Sequence, residues 1–156
     1  MKIIIGLGNS GLDYVNTRHN VGFMVIDALK KSSKYRVLKS TNFMNESGSF
    51  VKALYTKYNI QYSDLYIVHD DLDIPLGSYK IQLGHSPKDH NGIKSVDESL
   101  GTDQYWHVKV GVDNRMEEPS FAKATAGKEY VLQNFSEEEK VILDKVVKEV
   151  ASKLKN

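Results

Sequence analysis

Apolar positions along this chain fall into short β-branched runs separated by longer stretches of helical spacing. Lys2-Ile3-Ile4-Ile5 is a β-branched run that stops at Gly6 and predicts a buried strand. A glycine-rich turn follows, from Gly6 to Gly11. Val21, Met24, Val25, Ala28 and Leu29 recur at helical intervals and predict a helix over Val21–Lys31. Tyr35–Lys39 has the length and composition of a short strand. Val51, Leu54, Tyr55 and Tyr58 stand at i, i+3, i+4 and i+7, which predicts an amphipathic helix over Ser47–Tyr58.

The second half repeats the pattern. Leu65–Val68 is another apolar run, stopped by the acidic His69-Asp70-Asp71-Leu72-Asp73, and Pro75 with Gly77 predicts a turn. Tyr79–Leu83 alternates as a strand does. Asn91–Leu100 predicts a short helix with Ile93, Val96 and Leu100 inward and Gly101 as its stop. His107–Val112 alternates again, with Val108, Val110 and Val112 on one face. Glu117–Lys128 is rich in Gly, Ala and Ser and weakly periodic, which reads as a mobile loop. Ser136 and Glu139 have the spacing of a capping box, opening a last helix with Val146, Val147, Val150 and Leu154 inward. Strands alternate with helices, and no repeat, linker or low-complexity tract interrupts them. The expected fold class is α/β: one domain over 1–156, with a twisted, mostly parallel (mixed) sheet flanked by helices.

Composition narrows the function classes. The 156 residues, 26% charged and 40% hydrophobic, suffice for a core that buries roughly two-thirds of the unfolded surface. With no cysteine, disulfide scaffolds, iron–sulfur sites, thiolate zinc sites and cysteine nucleophiles are excluded, and the chain is compatible with the cytosol. No stretch approaches the roughly 20 apolar residues of a membrane helix, and Gly6, Asn9 and Asp13 break up the apolar start. The formal net charge is +1, from 21 Lys+Arg against 20 Asp+Glu. That argues against a broad nucleic-acid-coating surface and leaves room for a local basic patch.

Gly6-x-Gly8-x-x-Gly11 after a strand begins a dinucleotide fingerprint. The rest of the fingerprint is missing. Gly11 opens no apolar-periodic helix, and Lys30-Lys31-Ser32 stands where an acidic residue belongs. A tight strand-exit turn explains the glycines as well.

Polar residues gather instead at the predicted strand exits, where open α/β sheets bind ligands. Asn9 leaves the first strand, Asp70 leaves the Leu65–Val68 strand, His19 starts the first helix, and Asn45 and Asn91 each precede a helix. A neutral imidazole can take a proton from water while a carboxylate fixes its tautomer. Asn amides can donate to a developing oxyanion and hold a peptide main chain. The set suits hydrolysis of an activated ester. Each residue also has an ordinary structural use: Asn as a helix cap, Asp70-Asp71 as a solvated turn, a lone His as a packing residue.

At these residues the sequence resembles bacterial-type peptidyl-tRNA hydrolases. The resemblance is carried by Ile5–Gly11 with Tyr14, Asn16–Phe23, Phe43–Gly48, Val68–Pro75 with Gly77, His90–Ser95 with Gly101, and Tyr130-Val131-Leu132 with Phe135 and Glu138. It implies cleavage of the ester between a peptide and the 3′ end of its tRNA. His19 would be the general base, Asp70 its orienting carboxylate, and Asn9 a neighbour of the ester. Asn45 and Asn91 would hold the peptide main chain and water, and Tyr14 and Phe43 would line the substrate site. Lys80 and Lys109 fall where the family places basic residues for the acceptor stem. The resemblance implies no cofactor and no metal, no membrane association, and a cytoplasmic monomer. Ser10, the 85–89 loop, Gln82 and a shortened 20–43 segment depart from the family pattern. A non-catalytic RNA-binding relative of the same fold is the alternative.

Overall fold

The computed structural model describes residues 1–115 and 127–156. Most of the stretch read as a mobile loop therefore lies outside the described residues, and its last two residues, 127 and 128, belong to a helical turn over 127–130. Five strands form one sheet: β1 (Lys2–Gly6), β2 (Tyr35–Lys39), β3 (Leu65–Pro75), β4 (Tyr79–Leu83) and β5 (Trp106–Asp113). Their order is β2-β1-β3-β5-β4, parallel throughout except for β4, which runs antiparallel to β5. The helices are α1 (Val21–Ala28), α2 (Ser47–Lys57), α3 (Asn91–Leu100) and α4 (Glu137–Leu154). This is the expected α/β architecture.

The apolar runs are continuous because both sheet faces are covered. Ile4, Val68, Val108, Val110 and Val112 pack with Val25 of α1 and Val146 and Val150 of α4. On the other face Ile3, Ile5 and Ile67 pack with Val51 of α2 and Ile93 and Val96 of α3. The Ser136–Glu139 capping box forms at the start of α4. Gly101 ends α3 at φ 73°, in the left-handed region.

Three boundaries differ from expectation. β3 does not stop at Val68: the acidic run continues the strand to Pro75 because β5 supplies partners from Tyr66↔Trp106 through Asp71↔Gly111, and again at Pro75↔Asp113 beyond an irregularity. Asp70 and Asp71 are therefore buried strand residues, 2% and 5% exposed, and not a solvated turn. Helix α1 ends at Ala28, three residues early, where Leu29 turns to extended backbone. Tyr58 closes α2 as its C-cap and stays exposed, while Val51 is buried.

Gly6 at the end of β1 and Gly22 in α1 serve close packing. A Cβ at Gly22 would lie 2.5 Å from the Val68 carbonyl oxygen and 2.6 Å from that of Leu7. One at Gly6 would meet the Gly22 carbonyl at 2.6 Å. Helix α1 thus lies against the ends of β1 and β3 without a side chain between. Gly11 leads into a 3-10 turn at Leu12–Tyr14, not into the helix a dinucleotide site requires. Because the atoms facing Gly22 are backbone, Gly22→Ala is expected to cost about 2–3 kcal/mol by overpacking. Denaturant melts check this, and a loss below about 0.5 kcal/mol would show that α1 can shift freely.

Candidate active site

The carboxyl ends of β1 and β3 meet the first turns of α1 and α3, and the polar residues converge there. Asn9 follows β1. Its N–H donates to Asn20 Oδ1 at 2.8 Å and its carbonyl accepts from Asn20 Nδ2 at 2.9 Å. Buried Asn20 thus stands in for a neighbouring strand. Asn9 Oδ1 accepts from the Met44 N–H at 2.7 Å, and its Nδ2 hydrogens have no partner among the described residues. Asn9 is held so that its amide donors face outward from a fixed acceptor.

His19 sits in a 3-10 turn, Arg18–Asn20, directly before α1. Its Nδ1 lies 2.8 Å from Asp70 Oδ2. Spacing singles out one histidine here, but the structure brings two. His90 Nε2 lies 2.7 Å from Asp70 Oδ1, and the two imidazoles stand 4.9 Å apart, ring to ring. His90 caps α3, its Nδ1 accepting from the Ile93 N–H at 3.1 Å. That accepted bond makes His90 the Nε2–H tautomer, so it donates to Asp70. Its position just ahead of a predicted helix start was the available signal. Asn91 is the first residue of that helix, as the predicted span Asn91–Leu100 has it. Asn45 lies in the 3-10 turn Met44–Glu46 ahead of α2, and both side chains are exposed.

The electrostatics follow from this sharing. Burial pushes the Asp70 carboxyl up, but the charge and hydrogen bonds of His19 and His90 outweigh it and hold the group far below the usual carboxylate range. Burial pulls His19 down, yet the Asp70 charge and hydrogen bond together raise it above 6.5. With Nδ1–H given to Asp70, His19 presents Nε2 as the basic atom. Donor atoms of His19, Asp70 and His90 lie within 4.8 Å of one another, close enough to surround a cation. Both carboxylate oxygens and the His90 Nδ1 are already engaged, so the set is spent on itself.

Tyr14 and Phe43 meet edge to face, 6.2 Å between centroids, with Phe43 52% exposed. A cavity of about 570 Å³ opens one residue from Asp70 and from His90, lined by Asp71, Asp89, Lys80, Lys88 and Lys109 among others. Lys80 is exposed, and it pairs directly across the strands with Lys109. Lys109 is 8% exposed, and its ammonium donates to the His85 carbonyl and to Gln82 Oε1.

Behind Asp70 lie His69 and His107, both fully buried. His69 Nδ1 is 3.0 Å from the Asp70 carbonyl, His69 Nε2 is 3.3 Å from His107 Nδ1, and His107 Nε2 is 3.1 Å from the Asp103 carbonyl. Burial, then the neighbouring His90 and His107, hold His69 well below the ordinary histidine value; burial lowers His107 too.

The family model described as peptidyl-tRNA hydrolase matches residues 3–156. The chain is 36% identical over 176 residues to a peptidyl-tRNA hydrolase of Persephonella marina, covering all of this chain and 90% of that protein. It is 40% identical over 169 residues to one of a Sulfurihydrogenibium species, covering 94% and 85%. Among solved structures, peptidyl-tRNA hydrolase from Acinetobacter baumannii superposes with a TM-score of 0.83 at 24% identity, over 99% of this chain and 87% of that one. That superposition speaks to the fold.

The buried histidines give a pH dependence of stability. Unfolded, His69 and His107 take protons near their ordinary value of 6.5; folded, only at lower pH. Below 6.5 the unfolded chain therefore binds more protons, and stability falls as pH falls. His19, raised in the fold, opposes this with one group against two. The urea midpoint is expected to drop between about pH 6.5 and 5. A flat midpoint there would show that the buried pair is already charged.

Proposed function

The chain belongs to the peptidyl-tRNA hydrolase family, and from that premise we propose that it cleaves the ester joining a peptide to the 3′ end of tRNA, with His19 as general base. The observation that carries this reading is the Asp70 carboxylate shared between His19 and His90, which leaves His19 Nε2 as the basic atom, with no hydrogen-bond partner among the described residues. Nε2 takes a proton from water as its oxygen attacks the ester carbonyl. Asp70 stabilises the imidazolium that forms. The Asn9 Nδ2 hydrogens are the donors for the developing oxyanion. Collapse of the tetrahedral intermediate breaks the bond to the ribose oxygen, which recovers the proton from His19. Peptide acid and tRNA are the products.

The surrounding residues divide the substrate between them. The exposed amides of Asn45 and Asn91 suit a peptide main chain, and the Tyr14–Phe43 pair offers an apolar edge. Lys80, exposed and without an ion pair among the described residues, presents its ammonium to acceptor-stem phosphate. Lys109, tied to the 82–85 turn, contributes charge and holds the cavity wall. In this reading the protein is a single domain over 1–156, working as a monomer in the cytoplasm. Among the described residues no helix is long and apolar enough to cross a membrane. The alternative, an RNA-binding relative without catalysis, would not need the His19 tautomer held by a carboxylate with two donors.

Turnover of purified protein on peptidyl-tRNA separates the two readings, and a folded chain without it would leave only the second. His19→Ala is expected to lower kcat by about 10²–10⁴ while leaving the fold intact, and retained turnover would remove His19 from its role. kcat/KM should fall on acidification with a midpoint above 6.5, because Asp70 raises His19. Lys80→Glu should weaken tRNA binding and lower its logarithmic salt slope by about one. An unchanged slope would take Lys80 out of the phosphate contact.

A further inference from the structure

Arg18 immediately precedes His19, yet its side chain goes the other way. Arg18 is 5% exposed, and its guanidinium forks onto Glu139, with Nη1 2.8 Å from Oε2 and Nη2 3.0 Å from Oε1. Its Cζ lies over two rings, 4.2 Å from the Tyr130 centroid and 4.9 Å from that of Phe135. Glu139 is over-determined in turn: it accepts from the Ser136 N–H at 2.9 Å and from Asn114 Nδ2 at 3.0 Å. These contacts, the Arg18 bonds foremost, bring its carboxyl down to about 2.

The main chain of the same turn is tied to residues 131–135, the segment that leads into α4. Arg18 N–H donates to the Gln133 carbonyl at 3.1 Å, His19 N–H to that of Val131 at 2.8 Å, and Phe135 N–H to that of Asn16 at 3.1 Å. Thr17 and Asn134 form an antiparallel bridge.

We infer that Arg18 and Glu139 are positioning residues, their forked ion pair fixing the angle at which the Arg18–Asn20 turn delivers His19 to Asp70. Stability is a poor account of this pair, because buried ion pairs gain little over well-packed apolar residues. Arg18 Nε is moreover buried with no partner among the described residues, an unrepaid cost. What an apolar pair cannot supply is direction. Two parallel N–H···O bonds fix the plane of the guanidinium, and a stack of two rings fixes its tilt. Since Arg18 and His19 are neighbours in one tight turn, rotation on one side swings the His19 imidazole on the other, and His19 Nδ1 leaves Asp70 Oδ2. The inference rests on His19 being the base.

The test compares Glu139→Gln, Arg18→Met and Arg18→Lys with wild type on peptidyl-tRNA, alongside the NMR titration of His19. Glu139→Gln is expected to lower kcat about tenfold or more, with KM within about twofold, since the residues facing the substrate are untouched. The His19 titration should move from its raised value back toward 6.5 as the Asp70 contact loosens. Arg18→Lys should recover part of what Arg18→Met loses. In wild type, the His19 amide proton should exchange as slowly as core amides, a result independent of whether any variant folds. Fast exchange at that amide, or a folded Glu139→Gln with wild-type kcat and an unmoved His19 titration, overturns the clamp alone. An ordinary His19 titration in wild type, or turnover retained by His19→Ala, overturns the base reading and the clamp's catalytic part with it.

Discussion

The Asp70 carboxylate is 2% exposed and gives one oxygen to each of two imidazoles, and the rest of the site is arranged around that contact. A buried carboxylate without donors would take up a proton instead of remaining charged. Here His90 arrives as a fixed N–H donor because its other nitrogen already caps α3. The cap therefore does two jobs, holding the first turn of α3 and keeping Asp70 ionised. An ionised Asp70 in turn determines which nitrogen of His19 carries the proton and which is free to act.

That contact constrains the backbone on every side. Asp70 must lie inside a paired strand for its main chain to be satisfied at this depth, and β3 meets this by running on past Val68 beside β5. His19 must come from above the end of β1, so α1 must lie close to the sheet, which the bare backbone at Gly6 and Gly22 allows. Asn9 is pinned between Asn20 and Met44 and so bridges the turn before α1 and the turn before α2. The elements that pack the core thus also fix the relative positions of the three polar groups.

Much of this was legible in the chain, and the failures have physical causes. The apolar runs and stripes gave the strands, helices and inward residues, including Val108, Val110 and Val112 and the face of α4, because burial leaves a periodic mark. The polar set at the strand exits was visible because the strand ends could be placed from the apolar runs, although each residue taken singly also had an ordinary structural use. The extent of β3 was hidden: acidic residues look like a strand end, and only the long-range partner β5 reveals that Asp70 and Asp71 are inside. His90 was hidden for a related reason, since a histidine cap is locally unremarkable and its second nitrogen matters only once β3 is placed beside it. The burial of Lys109 depends likewise on a carbonyl 24 residues away.

The imidazoles behind Asp70 show why the carboxylate is held from the front. Between the carbonyls of Asp70 and Asp103, which only accept, His69 and His107 offer four ring nitrogens. Satisfying both carbonyls and the nitrogen–nitrogen contact takes three protons, and two neutral rings carry two. With burial disfavouring the charged form, one contact has to go unmade. The 3.3 Å separation between the rings is the longest of the three, against 3.0 and 3.1 Å at the carbonyls, so the unmade contact is the one between the histidines. His69 is then the Nδ1–H tautomer and His107 the Nε2–H tautomer. The deficit sits one ring away from Asp70, whose carbonyl keeps its donor. Had it fallen at the Asp70 carbonyl, the strand bearing the carboxylate would carry an unpaired acceptor where its position matters most. The polar seam is therefore ordered so that its weakest point lies between β3 and β5 and not under the carboxylate that holds His19 and His90.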